Sequence, residues 1–232
     1  MRIFVAPSSL VAGELTITGD EHHYLARARR AAVGNAIELV DGEGRRANAQ
    51  ILAMTDDATT LNVYEPYSIP AKPPLVRVLL PLIKGDRMDI ALEKLVEVGA
   101  DEIVVWPAAR SVVKLEADRR DARIAKYQSA VQAAARQSGR AQVPSVTWAD
   151  SLATAIATIQ GTKLVLDPTS DAAITVDDAS EVTFASGPEG GLAPDELAQL
   201  ASFTSVGLGP RVLRAETAPV AAVAIVRALT RS

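Results

Sequence analysis

The segment YEPYSIPAKPPLV (64–76) places four prolines, Pro66, Pro70, Pro73 and Pro74, within nine residues. Proline has a fixed φ and no backbone N–H, so neither a helix nor a central strand runs through such a stretch. The chain is therefore read as two pieces, and the hydrophobic patterning differs on either side. Before the prolines lie short alternating runs, LTIT (15–18), NAIELV (35–40), RRANAQILAM (45–54) and TTLNVYE (59–65), punctuated by DGEG (41–44) and TDD (55–57). Alternation between turn residues predicts a small β-barrel of about 70 residues with one helical insert around DEHHYLARARRA. After the prolines, strands are expected at 75–83, 103–106, 163–167, 181–186 and 203–208, and helices near 86–98, 119–138, 149–160, 194–201 and 217–230. That alternation predicts an α/β fold with a parallel sheet covered by helices. The expected division is 1–70 and 74–232.

Composition narrows the chemistry. With no cysteine among 232 residues, disulfides, thiolate zinc sites and cysteine nucleophiles are excluded. His22 and His23 are adjacent, so on a helix they diverge by about 100° and make a poor metal pair. No apolar run reaches the roughly 18 residues of a membrane span, and the N-terminal MRIFVAPSSLVAGELTITGDE is too broken for a signal peptide. The expectation is a cytoplasmic protein with no metal and no membrane partner.

The net charge of −4 argues against a generic nucleic-acid coat, but the charge is segregated. From 110 to 140 stand eight cations, Arg110, Lys114, Arg119, Arg120, Arg123, Lys126, Arg136 and Arg140, against Glu116, Asp118 and Asp121. From 150 to 196 nine carboxylates face only Lys163. LARARR (25–30) and GRR (44–46) add a second basic cluster, and together the two favour a polyanionic partner over solvated faces alone.

Two helices read as core. DRMDIALEKLVEVG takes Asp86 as N-cap, stops at Gly99 and carries Met88, Leu92, Leu95 and Val96 on one face. RRDARIAKYQSAVQAAARQSGR aligns Ile124, Tyr127, Val131 and Ala134 and ends at Gly139.

FASGPEGGLAPDEL (184–197) packs three glycines and a proline into five residues between a strand and a helix. Pro194 suits a first helical turn, and Asp195 and Glu196 suit its positive end. Ligands of open α/β sheets bind beyond the carboxyl ends of the strands, so this is a ligand-side loop. It lacks the Lys-Ser/Thr of a Walker A loop and the spacing of a dinucleotide fingerprint, which with the absent metal ligands disfavours a phosphate-binding hydrolase. A second turn of the same kind follows in FTSVGLGPRVLRAETAPVAAVAIVRAL (203–229), with Thr217 as expected N-cap and Pro219 in the first turn. The last helix is apolar nearly all round, so it is buried in its own core or against a second subunit. Two glycine turns leave backbone groups bare for a flat ligand, and RVLRAET between them offers two arginines and a carboxylate. That set suits a nucleoside-like cofactor beside an anionic or acidic substrate.

GPEGGL followed by LGPRVLRAETA resembles the C-terminal motifs of the ribosomal small subunit methyltransferase E family, of the SPOUT class of S-adenosylmethionine-dependent RNA methyltransferases. The resemblance extends through KGDRMDIALEKLVEVGA (84–100), RSVVK (110–114), QSGR (137–140) and RAAVGNAIELVDG (30–42), and so spans nearly the whole chain. It implies a PUA-like barrel, a C-terminal α/β domain with a trefoil knot, a homodimer, and methylation of uridine N3 in the 16S rRNA of the small subunit. Pattern reasoning alone discounts knots. One departure is Arg136, where family members often carry Glu.

The resemblance places S-adenosylmethionine against Gly187, Gly190 and Gly191 in one wall and Leu208, Gly209 and Leu213 in another, with Leu166 near a third loop and Ala218 closing the pocket. Uridine N3 carries a weakly acidic proton, so a base and a cationic stabiliser are expected. Glu216 and Arg214 are the candidates, with Arg211 in reserve and Glu189 a further carboxylate; alternatively Glu216 and Arg214 form an ion pair that holds the loop. RNA contacts are expected from Arg27, Arg29, Arg30, Lys84, Arg87, Arg110 and Arg211. Two further readings stay open: a SPOUT enzyme acting on another RNA such as tRNA, and a non-catalytic RNA-binding or ribosome-assembly protein.

Overall fold

The computed structural model describes residues 1–28, 30–70, 73–176 and 179–230. The chain divides into two compact units, residues 1–71 with 135–143, and residues 72–134 with 144–232.

The first unit holds β1 (Arg2–Phe4), β2 (Gly13–Thr18), β3 (Ala36–Val40), β4 (Arg45–Met54), β5 (Ala58–Val63) and β6 (Tyr67–Ser68). Their order is β1-β3-β4-β5-β2, with β6 on β4. The alternation read in the sequence is the burial pattern. Ala47, Ala49 and Ile51 of β4 point inward with Leu61 and Val63 of β5, while Asn48 and Gln50 take intervening positions. Ile3, Leu10, Ile17, Leu25, Ile37 and Leu39 complete this core. The helical insert is α1 (Gly19–His23), continued by a π-helical turn over Tyr24–Ala28. His22 is buried there: its Nε2 donates to the Asp56 carbonyl at 3.0 Å, and in the neutral ring Nδ1 accepts from the Thr59 hydroxyl at 2.9 Å. Both ring nitrogens thus serve the core.

The second unit is built on a six-stranded sheet in which every ladder is parallel. Its strands are β7 (Leu75–Pro81), β8 (Glu102–Trp106), β9 (Ser145–Trp148), β10 (Thr162–Leu166), β11 (Glu181–Ala185) and β12 (Thr204–Val206). They run in the order β12-β10-β11-β7-β8-β9. β7 is central, and its near-continuous apolar run, with Val76, Val78, Leu79 and Leu80 fully buried, is what a strand covered on both faces requires. The helices are α2 (Asp86–Val98), α3 (Ala117–Ser138), α4 (Leu152–Ile156), α5 (Pro194–Gln199) and α6 (Thr217–Leu229). Leu79, Val165 and Ala185 of the sheet cluster with Leu152 and Ala155 of α4 and with Leu200 and Phe203. α6 packs on α2, β7 and β11. Arg227 of α6 locks that packing by donating to the Gly99 carbonyl at 2.8 Å and the Pro74 carbonyl at 2.8 Å, and by pairing with Asp101.

Several expectations shift. Gly85, at φ 63, is the N-cap of α2, and Asp86 is its first helical residue; the backbone there takes a conformation that glycine accepts more readily than aspartate. Glu216 rather than Thr217 flanks α6. α4 is shorter than 149–160: it starts at Leu152 because Ser151 caps it by accepting from Thr154 N at 3.1 Å, and it ends at Ile156. β1 and β9, of three and four residues, were not expected; each exists through pairing with a longer neighbour, β3 and β8. Residues 135–143, expected with the second domain, group with the first. Arg136 there pairs with Glu21 at 2.6 Å and lies 5.6 Å over the Phe4 ring, and Val143 N donates to the Gly42 carbonyl at 2.9 Å. Burial raises the Glu21 pKa, and Arg136 partly offsets it. Arg136 is therefore spent on a local pair rather than adding to a positive patch. No helix among the described residues is long and apolar enough to cross a membrane.

Candidate functional site

β12, β10 and β11 are neighbours, and the loops leaving their carboxyl ends enclose a cavity of about 850 Å³. That volume is in the range of small-molecule sites, and the position is the one open α/β sheets use. Leu166, Gly187, Gly191, Leu208, Gly209, Leu213 and Ala218 all line it, together with Arg87, Glu189, Arg211 and Arg214.

Each wall has an identifiable support. The 184–197 loop is fixed by Glu196, a buried residue of α5 whose Oε2 accepts from Ala193 N and whose Oε1 accepts from Ala109 N, both at 2.7 Å. The first of these is half of a capping box. Arg110 fixes the same loop from the other side, donating to the carbonyls of Gly190 at 3.1 Å and Leu192 at 3.2 Å. Gly190 does not line the cavity; a Cβ on it would stand 3.0 Å from Arg110 Cβ, so close packing accounts for that glycine. Arg110, expected to contact RNA, is bound to loop carbonyls.

The third wall was only partly legible. Asp167, just past β10, accepts from the Thr169 hydroxyl at 2.7 Å, from Thr169 N at 2.8 Å and from the Ser205 hydroxyl at 3.0 Å. These bonds, the Thr169 hydroxyl first, hold its carboxyl below the ordinary aspartate value. Asp167, Thr169 and Ser205 all line the cavity. The signal was the Asp-Pro-Thr turn directly after an apolar strand.

Glu216 is not among the residues that line the cavity, although Arg214 and Ala215 before it are. Its Oε1 lies 3.9 Å from Arg87 Nε, while its Oε2 is buried without a hydrogen-bond partner among the described residues. The alternative ion pair with Arg214 does not form: among the described residues Arg214 makes no salt bridge, and its side chain is exposed at the cavity. Its backbone carbonyl instead accepts from Thr217 N at 2.9 Å and Ala218 N at 3.0 Å, starting α6.

The basic clusters resolve into distinct environments. Arg120 pairs with Asp150 at 2.5 Å and lies over Trp148. Lys114, Arg123 and Lys126 line a second cavity of about 190 Å³ with Asp86, Asp89 and Tyr127. Lys84 is exposed, as are Arg27 and Arg30 on the first unit. Arg29 lies outside the described residues.

The profile of the RNA methyltransferase domain family matches residues 70–227, and that of the RNA methyltransferase PUA domain matches residues 17–63. The chain is thus a member of the RNA methyltransferase family, with a PUA-like domain ahead of a SPOUT-like one. The ribosomal RNA small subunit methyltransferase E of Mycobacterium bovis is 34% identical over 231 residues, covering 92% of this chain and 86% of that protein. The Bacillus subtilis protein of the same name is 29% identical, covering 93% and 90%. A crystal structure of the Neisseria gonorrhoeae ribosomal RNA small subunit methyltransferase E bound to S-adenosyl methionine superposes with a TM-score of 0.82 at 28% identity, covering 98% of this chain and 97% of that one. The chain belongs to the ribosomal RNA small subunit methyltransferase E family.

Proposed function

We propose that this protein methylates N3 of a uridine in the 16S rRNA of the small ribosomal subunit, with S-adenosylmethionine as methyl donor. The observation that carries this reading is the cavity itself. Seven of the eight residues that the sequence resemblance assigned to the cofactor converge on its wall, with Arg214 beside them. The donor set fits the group: leucines and glycine backbone for a flat nucleoside, and carboxylates of Asp167 and Glu189 for a molecule carrying a sulfonium and an ammonium. When bound, S-adenosylmethionine supplies an activated methyl group, so the protein's task is alignment and proton handling.

Glu216, whose chain neighbours Arg214 and Ala215 line the cavity, is the base that takes the uridine N3 proton. Arg214, exposed at the cavity, faces the negative charge that deprotonation leaves on the base oxygens. Arg211 lines the same cavity and contacts the RNA, and Lys84, Arg27 and Arg30 supply further phosphate contacts that position the substrate without reading sequence. The protein acts as a homodimer in the cytoplasm, its knot part of the same reading. Supporting the dimer, α6 buries Ala222, Val223 and Val226 and exposes Ala224, Ile225, Ala228 and Leu229, an apolar stripe at i, i+4 spacing.

The test is transfer of a deuterated methyl group to small subunits lacking the modification, read by nucleoside mass spectrometry, with free 16S RNA and tRNA in parallel. Labelled 3-methyluridine in the subunit is the expected result. Label in tRNA alone overturns the target, and no cofactor binding at all overturns the activity.

A further inference from the structure

Arg87 lies in the first turn of α2, and its guanidinium reaches both glycine turns. Nη1 is 3.3 Å from Glu189 Oε1 in the 184–197 loop, and Nε is 3.9 Å from Glu216 Oε1 at the start of α6. One cation therefore ties together two cavity walls and the helix after β7. The Glu216 side chain is only 12% exposed, and Arg87 is its salt-bridge partner within 4.0 Å among the described residues. A carboxylate so enclosed needs a fixed counter-charge, and losing that partner leaves it free to turn away. The other charged groups at this site are Glu189, which shares Arg87, and Asp167, Arg214 and Arg211, which line the cavity without pairing to Glu216.

We propose that Arg87 is a positioning residue for methyl transfer rather than a phosphate contact. It faces Oε1 of Glu216 across 3.9 Å and so fixes the orientation of that carboxylate, whose neighbours Arg214 and Ala215 line the cavity. Glu189 holds the guanidinium from its other side, which keeps it from swinging into solvent. This inference rests on reading Glu216 as the base, and the two fail in different ways.

The experiment compares Arg87→Met, Arg87→Lys, Glu216→Gln and the Arg87→Met/Glu216→Gln double variant. It measures kcat, KM for small subunits, Kd for S-adenosylmethionine and the salt dependence of RNA binding. Loss of a positioned base costs about 100-fold or more. The expected result is a kcat lowered about 10- to 100-fold in Arg87→Met, with KM for RNA and cofactor Kd within about twofold. Arg87→Lys recovers most of the rate, and the double variant is no slower than Glu216→Gln alone. A raised KM and a salt slope shallower by about one contact, with kcat intact, make Arg87 a phosphate contact and overturn the proposal. A double variant slower than Glu216→Gln by the full Arg87→Met factor overturns it too. Full activity in Glu216→Gln overturns the base assignment beneath it. Arg87→Gln carries the same comparison if the methionine variant does not fold.

Discussion

Glu216 is paired with Arg87, across 3.9 Å, and not with Arg214, which stands two residues before it in the chain. The arginine nearest in sequence is left at the cavity, and the arginine that meets the carboxylate comes from the helix after β7. This separates two roles that sequence reading placed on one loop: Arg87 fixes the carboxylate, and Arg214 is available to substrate.

Arg214→Ala should therefore abolish most transfer without loosening the fold. Its guanidinium makes no ion pair among the described residues, while the helix-starting contacts belong to its backbone carbonyl and survive the substitution. A stabiliser of developing charge is worth about 100- to 1,000-fold in kcat, whereas an exposed side chain without partners changes stability by about 0.5 kcal/mol or less. Single-turnover kinetics beside a thermal melt and cofactor titration read both. A melting temperature that falls together with cofactor affinity would sink this assignment.

Glu196→Gln tests what holds the glycine turn. Both carboxylate oxygens accept backbone N–H groups, from Ala109 and Ala193, in a residue only 7% exposed. Glutamine offers one oxygen and turns an N–H toward the other donor, so about 1–3 kcal/mol is lost. Urea denaturation should show that loss, with weaker cofactor binding because the 187–192 segment is no longer held at the cavity. Unchanged stability would mean that Arg110 alone suffices.

The elements that proved legible are those decided by local pattern. The limits of β4, and of α2 from 86 to 98, follow from alternation, a helical apolar face and a terminating glycine. β1 escaped because three residues have no period of their own and are strands only through β3. The same distinction runs through the site. The glycine turns announced themselves because turn chemistry is local, while the seven expected cofactor residues that line the cavity came from the family resemblance. The Arg87–Glu189 bond joins residues 102 apart, and the Glu196–Ala109 bond joins residues 87 apart. Nothing in either segment specifies its partner; the strand order does. For the same reason Arg87 and Arg110, read as RNA contacts from their charge, are found within the protein's own bonding.

Gly207 and Gly209 should respond very differently to alanine. A Cβ at Gly207 would lie 1.9 Å from the Ser170 carbonyl oxygen, so the segment leaving β10 and the segment leaving β12 must part. These segments carry Asp167 and Thr169 on one side and Leu208 and Gly209 on the other. Gly209→Ala meets no atom within 4 Å and suffers only from φ +108, a cost of about 1–2 kcal/mol. Gly207→Ala should cost about 2–3 kcal/mol through overpacking and weaken cofactor binding at least about tenfold. Paired melts and calorimetric titrations check the order, and equal effects of the two substitutions would show that the segments yield freely.

Asp167 gives the site a predictable acid response. Hydrogen bonds from the Thr169 hydroxyl and N–H, with a further one from Ser205, hold its folded pKa below the unfolded value of about 3.9. A depressed folded pKa means that the unfolded chain binds the proton more readily. The stabilisation is therefore fully present above the unfolded value and is lost as pH falls through the folded one. Asp167→Asn removes the charge and leaves one oxygen where three donors converged. Because the carboxyl is partly open to solvent, the effect is small, a melting temperature lower by about 2 °C at pH 7. The difference from the parent protein should shrink steadily below pH 4 and vanish once the parent's Asp167 is itself protonated. Melting curves at half-unit steps from pH 7 to pH 3 measure this directly. A gap that stays constant down to pH 3 would mean that the Thr169 and Ser205 bonds act on the aspartate through its shape and not through its charge.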